Sequence, residues 1–162
     1  MSHDRPRPWP ETRPPECPKK EIAKPYDAMV LSCIDPRIIN QVLYYVNVER
    51  KQTCRYSQFT IAGAAVAIVA PVFRHWRETF WDNLASSIDL HGITQVIAID
   101  HRDCGAAEIA YPKDCCKDRA KETALHKKVL LEFKAEVQRR EPRIKAVVVG
   151  LMDLDGKIEL FT

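Results

Sequence analysis

Ile97-Ala98-Ile99-Asp100-His101-Arg102-Asp103-Cys104-Gly105-Ala106 is the stretch at which this chain changes from apolar to chemically functional. Its first half is β-branched and apolar, the signature of a buried strand, and the Gly and small residues after Cys104 read as a turn into a helix. If the helix begins near His101, residues three apart share one face. His101 and Cys104 then point at one atom, and an imidazole and a thiolate so placed are half of a tetrahedral zinc site. Taken alone, His-x-x-Cys more often marks a buried structural cysteine. The rest of the donor set has to come from elsewhere in the chain.

Ala28-Met29-Val30-Leu31-Ser32-Cys33-Ile34-Asp35-Pro36-Arg37 supplies it. A second apolar strand ends in a cysteine, with Asp and Arg following at alternate positions. Alternation along an extended chain sends Cys33, Asp35 and Arg37 to one side. Pro36 favours an extended Asp35 and suits the first turn of a helix starting there.

The pairing of Cys-x-Asp-x-Arg at 33–37 with His-x-x-Cys-Gly at 101–105 resembles the β-class carbonic anhydrases, and the resemblance runs from about residue 26 to the C-terminus. It implies one Zn2+ per chain on Cys33, His101 and Cys104, with Asp35 and Arg37 as the catalytic pair. It implies reversible hydration of carbon dioxide to bicarbonate, and a homodimer or higher homo-oligomer. Three protein ligands leave the fourth position open, as catalytic zinc sites do, for water or for Asp35 itself. In the family, Arg37 would hold Asp35 off the metal, and its release would let Asp35 close the site. Relatives that hydrolyse carbonyl sulfide or carbon disulfide use the same constellation, and a non-catalytic zinc-binding member is a third reading. The family usually reads Arg-Asn-Ala-Gly where this chain has Thr60-Ile61-Ala62-Gly63, so the contacts at the pocket's outer side differ. A nucleotide-binding reading fails because Cys33–Arg37 holds no glycine for a phosphate turn.

Composition agrees with one soluble domain: 162 residues, 46% hydrophobic and 29% charged. Its net charge of +3 is too small to point to nucleic acid. The longest apolar stretch, Ile61 to Val72, is too short for a membrane span and contains Gly63 and Pro71. Residues 1–25 carry seven of the eleven prolines and lack the apolar core of a secretory signal. They read as a Pro-rich arm that neither forms helix nor joins a central strand; it is either extended and solvated or laid across a partner subunit. Residues 26–162 form the zinc domain. With six cysteines and no export signal, a cytoplasmic location and thiols rather than disulfides are expected. Cys17 reads as an exposed thiol, and the neighbours Cys115 and Cys116 as having no metal role.

Strands at about 27–34, 55–61, 93–99 and 144–149 alternate with helices at about 36–48, 71–90 and 119–140. Asp118 is the expected cap of the last helix and Gly92 the stop of the middle one. Asp155-Gly156 between apolar residues signals a closing hairpin. This is an α/β fold, with a mainly parallel central sheet of about four strands plus a C-terminal strand, flanked by helices. The resemblance adds the strand order 2-1-3-4. Ligands of such sheets gather at the strands' carboxyl ends, where both motifs lie. Arg102 and Asp103 are expected to face solvent or a subunit interface, and Asp100 is a candidate to orient an imidazole.

Overall fold

A computed structural model describes Cys17, residues 25–112 and residues 115–162. All other positions of the arm at 1–25 lie outside the described residues, so its expected course is not addressed by the structure.

Strand β1 (Ala28–Ser32) is buried along its whole length. A strand apolar on both faces belongs in the middle of a parallel sheet, and β1 pairs there with β2 (Tyr56–Thr60) and β3 (Gln95–His101), both in parallel. β4 (Ala146–Met152) continues the sheet in parallel beyond β3, and β5 (Ile158–Phe161) closes it antiparallel. The resulting order, β2-β1-β3-β4-β5, contains the expected 2-1-3-4. The β4–β5 connection turns at Gly156, whose φ of 89° is one that L side chains rarely adopt.

Between the strands run α1 (Ile39–Tyr44), α2 (Ala65–Val69), α3 (Arg77–His91), α4 (Gly105–Ala110) and α5 (Arg119–Arg140). The helix expected over 36–48 is in fact split. A turn at 36–38 precedes α1, and a π-helical turn over Tyr45–Glu49 follows it. The Asp35 carboxylate accepts the Arg37 N–H at 2.9 Å, which holds the chain in that turn before the helix can start. The helix expected from Pro71 likewise opens as a 3-10 segment, Pro71–Trp76, with non-helical angles at Phe73. There the Phe73 and Trp76 rings stack at 4.5 Å. The predicted stop at Gly92 holds, with φ of 68°. At the start of α5 the Asp118 side chain accepts the Lys121 N–H at 2.9 Å, the predicted cap. α2 and α4 are too short to carry a periodic signal.

The core lies between sheet and helices. Phe80 of α3 and Phe133 of α5 are fully buried with ring centroids 5.5 Å apart. α5 presents Val129, Leu130, Phe133 and Val137 inward from the face opposite its lysines and arginines.

One expectation about sulfur is overturned. Cys17 is joined to Cys54 in a disulfide, with Cα atoms 5.6 Å apart, so it is not a free thiol. Cys54 sits at positive φ just before β2. Sequence could not show this pairing, because connectivity depends on Cα separation and not on spacing. A bond across 37 residues should add about 2–4 kcal/mol by restricting the unfolded chain. Cys54→Ser is therefore expected to lower the denaturant midpoint in oxidising buffer, and to match the parent once the parent is reduced.

Candidate metal centre

The site grows from the register of β1 on β3. Ser32 pairs with Ile99, so Cys33 and His101 emerge from the same ends of neighbouring strands. His101 is the last residue of β3 and is not the start of a helix. Asp103 then takes a left-handed φ of 56°, and Cys104 is extended just ahead of α4. The expected helical face joining His101 to Cys104 is thus corrected to a strand end and a tight reversal. The outcome for the side chains is the same: Cys33, His101 and Cys104 are buried, with their donor atoms all within 4.8 Å of one another.

These three residues fit a metal ion. His101 Nδ1 lies 2.8 Å from the Arg102 carbonyl oxygen. A carbonyl only accepts, so Nδ1 carries the proton of that bond and Nε2 is the ring atom left to face the sulfurs. Nε2 is buried without a hydrogen-bond partner, an arrangement a metal ligand with a fixed tautomer requires. The Cys104 hydrogen bond, aided by His101 and by the Gly63 N–H at 3.1 Å, outweighs burial and lowers the Cys33 pKa to about 4. Cys104 is pushed up by that same bond and by burial. Cys33 is thus the member of the pair favoured as thiolate, and metal binding would release protons still held by the donor set. Burial pulls His101 down, but the adjoining Cys33 thiolate raises it overall. A proton and a cation thus compete for the same space.

Asp35 and Arg37 stand at the rim. Arg37 Nη2 donates to Asp35 Oδ2 at 2.7 Å and Nε to Oδ1 at 3.0 Å. That pairing holds the Asp35 pKa down at about 2, so the carboxylate is ionised across the physiological range. Asp35 Oδ2 lies 3.9 Å from His101 Nε2. A cavity of about 310 Å³ opens over these groups, with Ile34, Pro36, Ala62 and Ala106 as its apolar wall. A larger one of about 540 Å³ lies away from the donor atoms, against Tyr26, Asp27 and Thr94.

Gly63 shows why the Ala-Gly step is needed. Its φ is 85°, and a Cβ there would lie 2.9 Å from the Ala106 Cβ. Within the Thr60-Ile61-Ala62-Gly63 stretch, Ala62 reaches the cavity and Gly63 reaches Cys33.

Of the site's neighbours, Arg102 departs from expectation. Arg102 is buried, bonded to Glu122 and Asp153, and does not face solvent. Asp103 is exposed but pairs with Arg37 of the same chain at 2.6 Å. Asp100 does hold an imidazole, but that of His126, whose Nδ1 is 2.8 Å away. Glu122 and His126 were missed. Their signal was a Glu and a His four apart on the stripe that continues into Val129, Leu130 and Phe133. The vicinal Cys115 and Cys116 have their sulfurs 3.1 Å apart and take no part in the donor cluster.

No protein-family model matches the chain. An uncharacterised protein of Rickettsia bellii (strain RML369-C) is 31% identical over 134 residues, which is 81% of this chain and 79% of that protein. An uncharacterised protein of Rickettsia conorii is 28% identical over 134 residues, 81% of this chain and 69% of that protein. Among solved structures, β-carbonic anhydrase isoform I of Trichomonas vaginalis matches with a TM-score of 0.55 at 17% identity, over 90% of this chain and 87% of its own. A tetrameric β-carbonic anhydrase of Sordaria macrospora matches at 0.50 and 14%, over 86% and 82%. The fold is that of the β-carbonic anhydrases.

Purified protein is expected to take up one zinc per chain, measured by elemental analysis, and to lose stoichiometric uptake in His101→Ala and Cys104→Ser. Gly63→Ala should weaken zinc by about 10–100-fold in competition with a chromophoric chelator, as loss of a ligand's supporting contact does.

Proposed function

We propose that this chain, which belongs to one protein family with the Rickettsia bellii protein, is a zinc-dependent enzyme for the reversible hydration of carbon dioxide to bicarbonate. The observation that carries the reading is the buried Cys33–His101–Cys104 cluster, with an ionised Asp35 held by Arg37 at its open side. The β-carbonic anhydrase fold supports it.

Cys33, His101 and Cys104 would hold the ion. When bound, zinc supplies the Lewis acidity that brings a coordinated water to a pKa of about 7. Two thiolate donors work against that acidification, which gives the neighbouring carboxylate its task. Asp35 cannot donate at neutral pH. It accepts a hydrogen bond from the reacting water and so directs the water's lone pair toward substrate. Arg37 fixes the carboxylate in two parallel bonds, the geometry that best restrains it. Ile34, Pro36, Ala62 and Ala106 form an apolar wall, suited to a small substrate without net charge and unsuited to retaining bicarbonate.

The same apolar wall favours carbonyl sulfide or carbon disulfide as a second substrate reading. The tetrameric state of the Sordaria protein supports a homo-oligomer for this chain. No helix among the described residues is long and apolar enough to cross a membrane.

The test is stopped-flow carbon dioxide hydration on protein of verified zinc content. Activity is expected in the parent. In Asp35→Asn, kcat should fall by about 10²-fold or more with zinc content unchanged, the scale of a lost proton acceptor. Zinc-loaded protein that hydrates neither carbon dioxide nor carbonyl sulfide would leave a metal-binding protein without turnover.

A further inference from the structure

Glu122 is an acid in an apolar stripe, and it is 5% exposed. A buried carboxylate is strongly unfavourable unless charges and hydrogen bonds compensate it. Here Oε1 accepts the Asp103 backbone N–H at 2.6 Å, and Oε2 accepts Arg102 Nη1 at 3.2 Å. The first of these bonds seats the left-handed residue that separates His101 from Cys104. Asp100, just before His101, is held from the same helix by His126 and from α2 by the Ala65 N–H at 2.9 Å. α5 therefore grips the ligand-bearing turn on both sides.

Asp103 faces outward onto Arg37. Arg37 Nη1 donates to its carboxylate at 2.6 Å and Nη2 to its carbonyl oxygen at 2.9 Å. The guanidinium thus has two anchors, and one of them, Asp35, borders the metal site. The Arg37 side chain is 45% exposed. An exposed pair of this kind contributes little by itself, too little to keep a carboxylate away from a cation close to its own His101 neighbour. Only a second, rigid attachment makes Arg37 a fixed post.

We propose that Asp103, seated by Glu122, is a positioning residue that immobilises Arg37 and thereby keeps Asp35 beside the ion held by Cys33, His101 and Cys104 and not coordinated to it. The inference rests on the metal reading above and adds the residue that decides between an open and a closed site. Sequence alone offered no reason to prefer either state.

Asp103→Asn is the variant of choice, because Asn tolerates the left-handed backbone and removes only the charge. The measurement is azide titration of the cobalt-substituted full chain, followed by the visible absorption of cobalt. Parent and Asp103→Asn are expected to bind cobalt equally, with the thiolate charge-transfer band retained. Azide affinity should fall by about tenfold or more in the variant, the usual scale for loss of a supporting contact, because Asp35 then occupies the fourth position. Adding Asp35→Asn to Asp103→Asn should restore it. Unchanged azide affinity in Asp103→Asn would overturn the proposal, as would a weakening that persists in the double variant, which marks general damage. A parent that shows no thiolate–cobalt band overturns the metal reading itself, a result distinct from either.

Discussion

Everything chemical in this protein depends on how β1 lies against β3. The two strands pair in parallel from Ala28 on Gln95 to Ser32 on Ile99, and that register delivers Cys33 and His101 to a common edge. A slip of one residue would invert every side chain of β1 between the faces of the sheet. Such a slip is resisted because all five residues of β1 are buried, so the whole apolar content of the strand would have to be repacked. The metal-binding geometry is in this sense a by-product of hydrophobic packing well below it.

Strands bring donors to one edge but do not aim them. The aiming is done by residues with positive φ. Gly63 and Ala64 turn the chain so that an N–H meets the Cys33 sulfur, and Asp103 reverses it so that Cys104 comes back toward His101. Positive φ at Ala64 and Asp103 is unfavourable for residues with a side chain, and each conformation is held from outside. Ala64 lies in a fully buried segment, while Asp103 is gripped through its backbone by Glu122 and Arg37.

The strands, the hairpin and the cap of α5 were legible in sequence because each rests on local chemistry or on apolar runs long enough to register, whereas the strand order came only with the family resemblance. That Cys33, His101 and Cys104 cluster was anticipated from their places at strand ends together with the resemblance that paired the two motifs. The details between were not. His101 and Cys104 converge through a turn whose decisive angle belongs to Asp103, a residue that looks like any surface acid. Asp100 was read as a candidate to orient an imidazole, and the one it meets lies twenty-six residues away, a pairing that only helix packing creates. The link between Cys17 and Cys54 was hidden for the same reason. Proline-rich composition says that a tail is extended and is silent on where it touches down.

That link also says something about the sulfur chemistry of the whole chain. One pair of cysteines is oxidised, while Cys33 and Cys104 are reduced, hydrogen-bonded to each other and already sharing a negative charge. A thiolate is the nucleophile that attacks a disulfide in thiol–disulfide exchange, and a second thiol beside it can displace the mixed disulfide so formed. Any oxidant able to close Cys17 onto Cys54 would therefore threaten the inner pair as well. A cation seated among Cys33, His101 and Cys104 occupies the lone pairs that exchange would use, and so acts as a protecting group.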